Sequence, residues 1–112
     1  MRRFILVAVS ILTASMLIFS SSANAVDLQS FKIDSFEQIV NAKSQQDHLV
    51  ILWSFDCPPC IKELQKISDL HQQYPEYQLT LINTDSIDEQ GRVKKILKQY
   101  NLAGLDNWGF AN

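Results

Sequence analysis

The sequence predicts an α/β domain with parallel strands. Three observations carry that expectation. An unbroken apolar run, Leu49-Val50-Ile51-Leu52-Trp53, has the length and flanks of a buried strand. Cys57-Pro58-Pro59-Cys60 follows it and opens a segment with helical apolar spacing. A second apolar strand pattern, Gln78–Asn83, follows that helix. Strand, helical crossover and strand make a central βαβ unit, which implies parallel pairing and a right-handed connection and places Cys57 at the carboxyl end of a central strand.

In chain order, residues 1–25 read as a cleaved signal peptide. Arg2 and Arg3 form a basic start, Phe4 to Phe19 a mostly apolar stretch, and Ala23-Asn24-Ala25 a small-x-small cleavage site. The apolar stretch carries Ser10, Thr13 and Ser15 and is shorter than the about 20 residues of a membrane span. Residues 26–112 then form the domain. The chain's formal charge of −2 loses two further positive charges with Arg2 and Arg3. That balance argues against a general nucleic-acid binder.

Ser30 to Ile33 reads as a short strand, and Asp34 or Ser35 as the cap of a helix carrying Phe36, Ile39 and Val40 and ending near Lys43. Ser44 to Asp47 is a polar loop, and His48 to Phe55 the buried strand. The helix from Pro58 to about Gln73 places Ile61, Leu64, Ile67, His71 and Tyr74 on one side, with Leu70 at the flank. Pro75 blocks its continuation. Ser86-Ile87-Asp88-Glu89 fits a capping box, and Val93, Ile96, Leu97 and Tyr100 give the next helix its stripe. Gly91 weakens that helix by up to ~1 kcal/mol. Arg92, Lys94, Lys95 and Lys98 read as a solvated face. Residues 101–112 show no clear periodicity.

Cys57 and Cys60 are the only cysteines. A C-x-x-C at a strand-to-helix junction reads as a thiol–disulfide site. Export would place it where disulfides persist. A disulfide closing so short a loop constrains the unfolded chain little, so a purely structural role is the weaker reading. Cys57 at the N-cap gains thiolate stabilisation from the helix N-terminus, which makes it the attacking thiol and Cys60, expected to be more buried, the resolving one. Pro58 and Pro59 remove two N–H donors from the first turn, and Asp56 adds a negative charge beside Cys57. All three move the couple toward the reducing side, although Asp56 reads equally as a surface residue that helps cap the helix. Glu63, three residues beyond Cys60, is a candidate proton acceptor; the plainer alternative is a solvated Glu paired with Lys66 or Lys62. His48 and His71 have no metal-ligand spacing to the cysteines, and one cysteine pair cannot close a four-ligand zinc site. A transient Cu(I) site on the two thiolates is the competing chemistry.

The run from Leu49 through Cys57-Pro58-Pro59-Cys60 to Leu64 resembles the thioredoxin fold, and more narrowly the exported TlpA/ResA-like thiol–disulfide oxidoreductases. The resemblance continues loosely to about Leu102. It implies a reductase of protein disulfides in the bacterial periplasm, often serving cytochrome c maturation, recharged by a membrane-embedded thiol donor and using no cofactor beyond its redox disulfide. It also implies that a Glu at position 63 assists proton transfer. The sequence departs from the family at three places. Asp56 stands where a Trp is common, Gln65 where a Pro is common, and Ile51 where thioredoxins carry a buried acid. The resemblance further implies a later antiparallel strand pair, a cis-proline loop and a final helix. Pro58, Pro59 and Pro75 are the only prolines, so the chain is expected to be incomplete by about a quarter to a third of an ordinary ~100–150-residue domain. A truncated product without independent activity is a further alternative.

Overall fold

The computed structural model describes residues 25–42 and 47–110. The expected signal peptide up to residue 24, most of the 44–47 loop and the last two residues lie outside them. The elements are β1 (Leu28–Phe31), α1 (Ser35–Ala42), β2 (His48–Trp53), α2 (Pro58–Gln73), β3 (Gln78–Asn83), α3 (Gln90–Gln99) and β4 (Asp106–Phe110). The strands form one sheet in the order β1-β4-β3-β2, and every pairing is parallel. The α/β class and the β2-α2-β3 unit are as the sequence predicts.

The strand order fixes the layers. From β1 the chain crosses the sheet to β2, then steps back through β3 to β4. Right-handed crossovers in opposite directions put α1 on one face and α2 and α3 on the other. The packing agrees. Leu64 and Ile67 of α2 and Val93 and Leu97 of α3 share a core with Leu79 and Leu81 of β3 and Trp53 of β2. On the other face Ile39 is the one apolar side chain that α1 buries, beside Gln29, Asp106 and Trp108, with Ser35 buried at the helix start. Phe36 and Val40, expected in the same apolar stripe, are exposed. Ile33 lies in the turn after β1 and is fully exposed, because the strand forms earlier than expected, at Leu28–Phe31.

β4 is the element the sequence reading missed, and it corrects the placement of β2. It inserts between β1 and β3, so β3 is a central strand with Leu79 to Asn83 all buried. β2, expected to be central, is an edge strand of the described sheet. Its Leu49 is 47% and its Leu52 61% exposed. Trp108 and Phe110 pack against Phe31 of β1, with ring centroids 6.3 and 5.6 Å apart. Gly109 admits this close pairing, since a Cβ there would meet Leu28 Cδ2 at 3.0 Å.

The turn into β4 has a clear physical basis. Asn101 adopts φ 58°, a left-handed conformation that Asn tolerates better than most residues. Leu102 N–H donates to the Leu97 carbonyl at 2.8 Å and Asn101 N–H to the Lys98 carbonyl at 3.1 Å. These two bonds, with buried Leu97 and Leu102 in one core, make a Schellman motif that ends α3. Asn107, itself buried, then donates from Nδ2 to the carbonyls of Leu102 (2.9 Å) and Leu105 (3.0 Å).

A polar line crosses the α1 face. Thr80 Oγ1 donates to Asp106 Oδ2 at 2.9 Å and lies 2.7 Å from His48 Nε2. With its hydroxyl proton directed at Asp106, Thr80 Oγ1 has a lone pair free to accept from His48 Nε2. Gln29 Nε2 and Trp108 Nε1 also donate to Asp106, at 2.6 and 3.1 Å. The line joins all four strands.

Two helix ends differ from expectation. Ser86 makes no side-chain cap bond, so the capping box does not form; a 3₁₀ turn at Ile87–Glu89 leads into α3, and Glu89 faces Arg92 at 3.7 Å instead. Tyr74, expected on the inner side of α2, is exposed and packs edge-on to Tyr77, while Ser68 is buried in its place.

Asn107→Ala is expected to destabilise the fold by about 1–3 kcal/mol, because it removes a donor from two carbonyls beside the core. Urea unfolding at unchanged m-value measures this; a loss below about 0.5 kcal/mol would contradict the role assigned to the Asn107 side chain.

Candidate functional site

Cys57 and Cys60 form a disulfide with their Cα atoms 5.2 Å apart. Cys57 is the N-cap of α2, Pro58 and Pro59 are its first two residues, and Cys60 is the third. Both cysteines are half-buried, so the expected difference in burial is small. Cys60 nevertheless packs against the core cluster.

The first turn of α2 offers the Cys57 sulfur few donors. Cys57 N–H donates to the Ser54 carbonyl at 3.3 Å. Pro58 and Pro59 have no N–H. Cys60 N–H donates to the Cys57 carbonyl at 2.9 Å. No side chain caps the helix. A thiolate at Cys57 is therefore left with the helix dipole alone, worth about 0.3–1 kcal/mol at an exposed end. Asp56 is exposed beside it.

The loop before Cys57 is pinned to the end of β3. Trp53 is the last residue of β2, and its carbonyl accepts from Thr84 N–H at 3.0 Å. Phe55 N–H donates to Asp85 Oδ2 at 3.0 Å and to Oδ1 at 3.3 Å. Asn83 Nδ2 donates to the same Asp85 Oδ2 at 2.7 Å, and Asp85 N–H donates back to Asn83 Oδ1 at 3.1 Å. The Phe55 ring packs edge-on to Trp53, and the Arg92 guanidinium carbon sits 3.9 Å from its centroid. Arg92 is thus more than part of a solvated face. Asp85 and Asn83 were not singled out in the sequence. The signal was there: two short polar side chains at the carboxyl end of a buried strand, facing the loop that carries the cysteines.

One cleft borders the loop before Cys57 and another borders Cys60. A polar one of about 440 Å³ is lined by Ser54, Asp56, Thr84, Asp85, Glu89 and Arg92, among others. An apolar one of about 230 Å³ is lined by Ile51, Leu52, Trp53, Pro59, Cys60, Glu63 and Ile67. Glu63 therefore borders the same cleft as Cys60. Its Oε1 also meets Lys66 Nζ at 2.8 Å, and its side chain is 52% exposed. Both sequence readings of Glu63 have a geometric counterpart. His48 lies at the opposite end of β2 from Cys57. His71 is half-buried on α2 with no hydrogen-bond partner for Nδ1. Among the described residues no group of three or more His, Cys, Asp or Glu stands together as a metal cage, so the copper reading rests on the two sulfurs alone.

No protein-family model matches the chain, and no curated protein matches it. Among solved structures it is similar to a secreted Mycobacterium tuberculosis disulfide oxidoreductase homologous to E. coli DsbE, at 22% identity and a TM-score of 0.49. The match covers 55% of this chain and 44% of that one.

The donor-poor first turn makes a measurable claim. The Cys57–Cys60 couple is expected nearer −270 than −120 mV, roughly, and Pro59→Ala, which returns one N–H to the turn, is expected to raise it by up to about 30 mV. Equilibration with glutathione buffers reads both. A wild-type value above about −180 mV, or a downward shift in Pro59→Ala, would contradict the argument.

Proposed function

We propose that this protein is an exported thiol–disulfide oxidoreductase that reduces disulfides in other proteins. The observation that carries the reading is the Cys57–Cys60 disulfide at a helix N-terminus next to an apolar cleft. The cleft supplies a surface on which an unfolded or extended substrate can rest while its sulfur meets Cys57.

The reaction balances as two exchanges. The Cys57 thiolate attacks one sulfur of a substrate disulfide; the other sulfur leaves as a thiolate and takes a proton. The Cys60 thiolate then attacks Cys57 Sγ, breaking the mixed disulfide. Cys57–Cys60 closes, the second substrate sulfur leaves, and two electrons have passed to the substrate. Glu63, bordering the cleft beside Cys60, accepts the Cys60 proton in this second step. A membrane-embedded thiol donor returns the dithiol state. Release at Ala25 delivers residues 26–112 to the periplasm, and the basic, apolar and small-residue pattern of residues 1–25 supports that route. The thioredoxin-like, TlpA/ResA-like character of the sequence around Cys57-Pro58-Pro59-Cys60, and the parallel β2-α2-β3 unit that presents it, support the same reading. The second reading, a copper-handling thiol protein, would use the same two sulfurs without electron transfer.

Cys60→Ser is expected to accumulate mixed disulfides through Cys57, and Cys57→Ser to accumulate none. Non-reducing gels and mass spectrometry of the trapped adducts decide; adducts from Cys57→Ser alone would reverse the assignment. Glu63→Gln is expected to slow closure of the mixed disulfide about tenfold or more and to flatten its pH dependence, whereas Lys66→Ala retains both. A Glu63→Gln variant with the wild-type pH profile would reduce Glu63 to a surface residue.

A further inference from the structure

Phe55, two residues before Cys57, is held from three sides by groups outside its own loop. Asp85 takes its backbone N–H, the Arg92 guanidinium lies over its ring, and Trp53 meets its edge. Asn83 Nδ2 fixes the Asp85 carboxylate, and Glu89 faces Arg92 at 3.7 Å. These partners come from β2, the β3 end and α3, so three elements converge on one loop residue. The loop itself has a single main-chain turn bond, Cys57 N–H to the Ser54 carbonyl. Its sequence, Ser54-Phe55-Asp56, is turn-prone at Ser and Asp but has no Pro or Gly to fix the backbone.

We infer that Asp85 and Arg92 are positioning residues for the redox pair, holding Cys57 within closing distance of Cys60 through Phe55. The inference rests on the reading of Cys57–Cys60 as the working dithiol. On the α2 side Cys60 is fixed by the helix and by its packing against the core. Cys57, at the N-cap, is fixed on its other side only through the loop. The equilibrium constant for closing the disulfide against glutathione is an effective concentration of one thiol at the other. A loop free to move spreads Cys57 over more positions and lowers that concentration. Loosening the clamp therefore makes the disulfide easier to reduce and the couple less reducing. A purely stabilising contact elsewhere in the fold would leave this constant unchanged.

The geometry separates the clamp from the charge. One oxygen, Asp85 Oδ2, accepts from both Phe55 N–H and Asn83 Nδ2. Asp85→Asn can place its carbonyl oxygen there and keep both bonds without the negative charge. Asp85→Ala keeps neither.

The experiment is thiol–disulfide equilibration of the purified protein with glutathione, read by alkylation and mass spectrometry, with insulin reduction assayed in parallel. Asp85→Ala is expected to lower the closing constant about tenfold, Asp85→Asn to stay within about twofold of wild type, and Arg92→Gln to lower it about threefold. An unchanged constant in folded Asp85→Ala would overturn the inference. So would equal shifts in Asp85→Ala and Asp85→Asn, which would mean that charge is what matters. If Asp85→Ala does not fold, Arg92→Gln decides, because Arg92 is largely exposed and its loss spares the core; an unchanged constant there overturns the inference equally. A wild-type protein that equilibrates with glutathione but reduces no insulin sinks the functional reading and leaves the clamp standing. One that does not equilibrate at all sinks both.

Discussion

The constraint on which the site depends is the parallel pairing of β2 to β3. It runs unbroken from His48 opposite Gln78 to Trp53 opposite Asn83. That register brings the end of β2 level with Asn83, Thr84 and Asp85. The Trp53 carbonyl then meets Thr84 N–H, and Phe55 N–H meets Asp85. A shift of one residue would turn Trp53 out of the core and move Phe55 away from its acceptor. The strand pair is therefore what aims the chain into α2 with Cys57 at the helix start.

What the pair presents is a helix N-terminus whose usual assets have been withdrawn. A helix start ordinarily offers free N–H groups and a positive dipole end to an anion. Here two of those groups are missing at Pro58 and Pro59, and the third, on Cys60, is taken by the Cys57 carbonyl. The prolines also fit the first turn sterically, where their fixed φ suits the helix. The same substitution pattern thus favours the helix and disfavours the thiolate. The second effect acts at the Cys57 sulfur, and the proposed reducing direction rests on it.

The parts of the fold that were legible in the sequence are those where one local signal dominates. Pro58 and Pro75 bracket α2, which runs from Pro58 to Gln73. The run at Gln78–Asn83 is β3 to the residue, because a strand buried on both faces has no alternation to misread. β4 was not legible. Asp106-Asn107-Trp108-Gly109-Phe110 contains three residue types depleted in strands, Asp, Asn and Gly, and only two with strand preference, Trp and Phe. It is a strand because Asn101 and Leu102 turn the chain and because β3 and β1 offer it two open edges. Those are tertiary facts. Missing β4 also misplaced β2, since a sheet without it leaves β3 at the border. At the site, the cysteines and prolines were readable from spacing alone. Asp85, Asn83 and Arg92 were not, because they lie about 30 residues away in sequence and act on a backbone N–H and a ring face.

The central claim is that Cys57 and Cys60 pass two electrons to a disulfide in another protein. Stoichiometric electron transfer tests it most directly. Fully reduced protein, freed of small thiols, is mixed with excess insulin under nitrogen, and thiols on both proteins are counted by mass after alkylation. The account predicts that one insulin disulfide opens for each Cys57–Cys60 disulfide that forms. Thiols that stay on the protein while insulin remains oxidised, with Cu(I) binding at one equivalent, would contradict it and favour a metal-handling role.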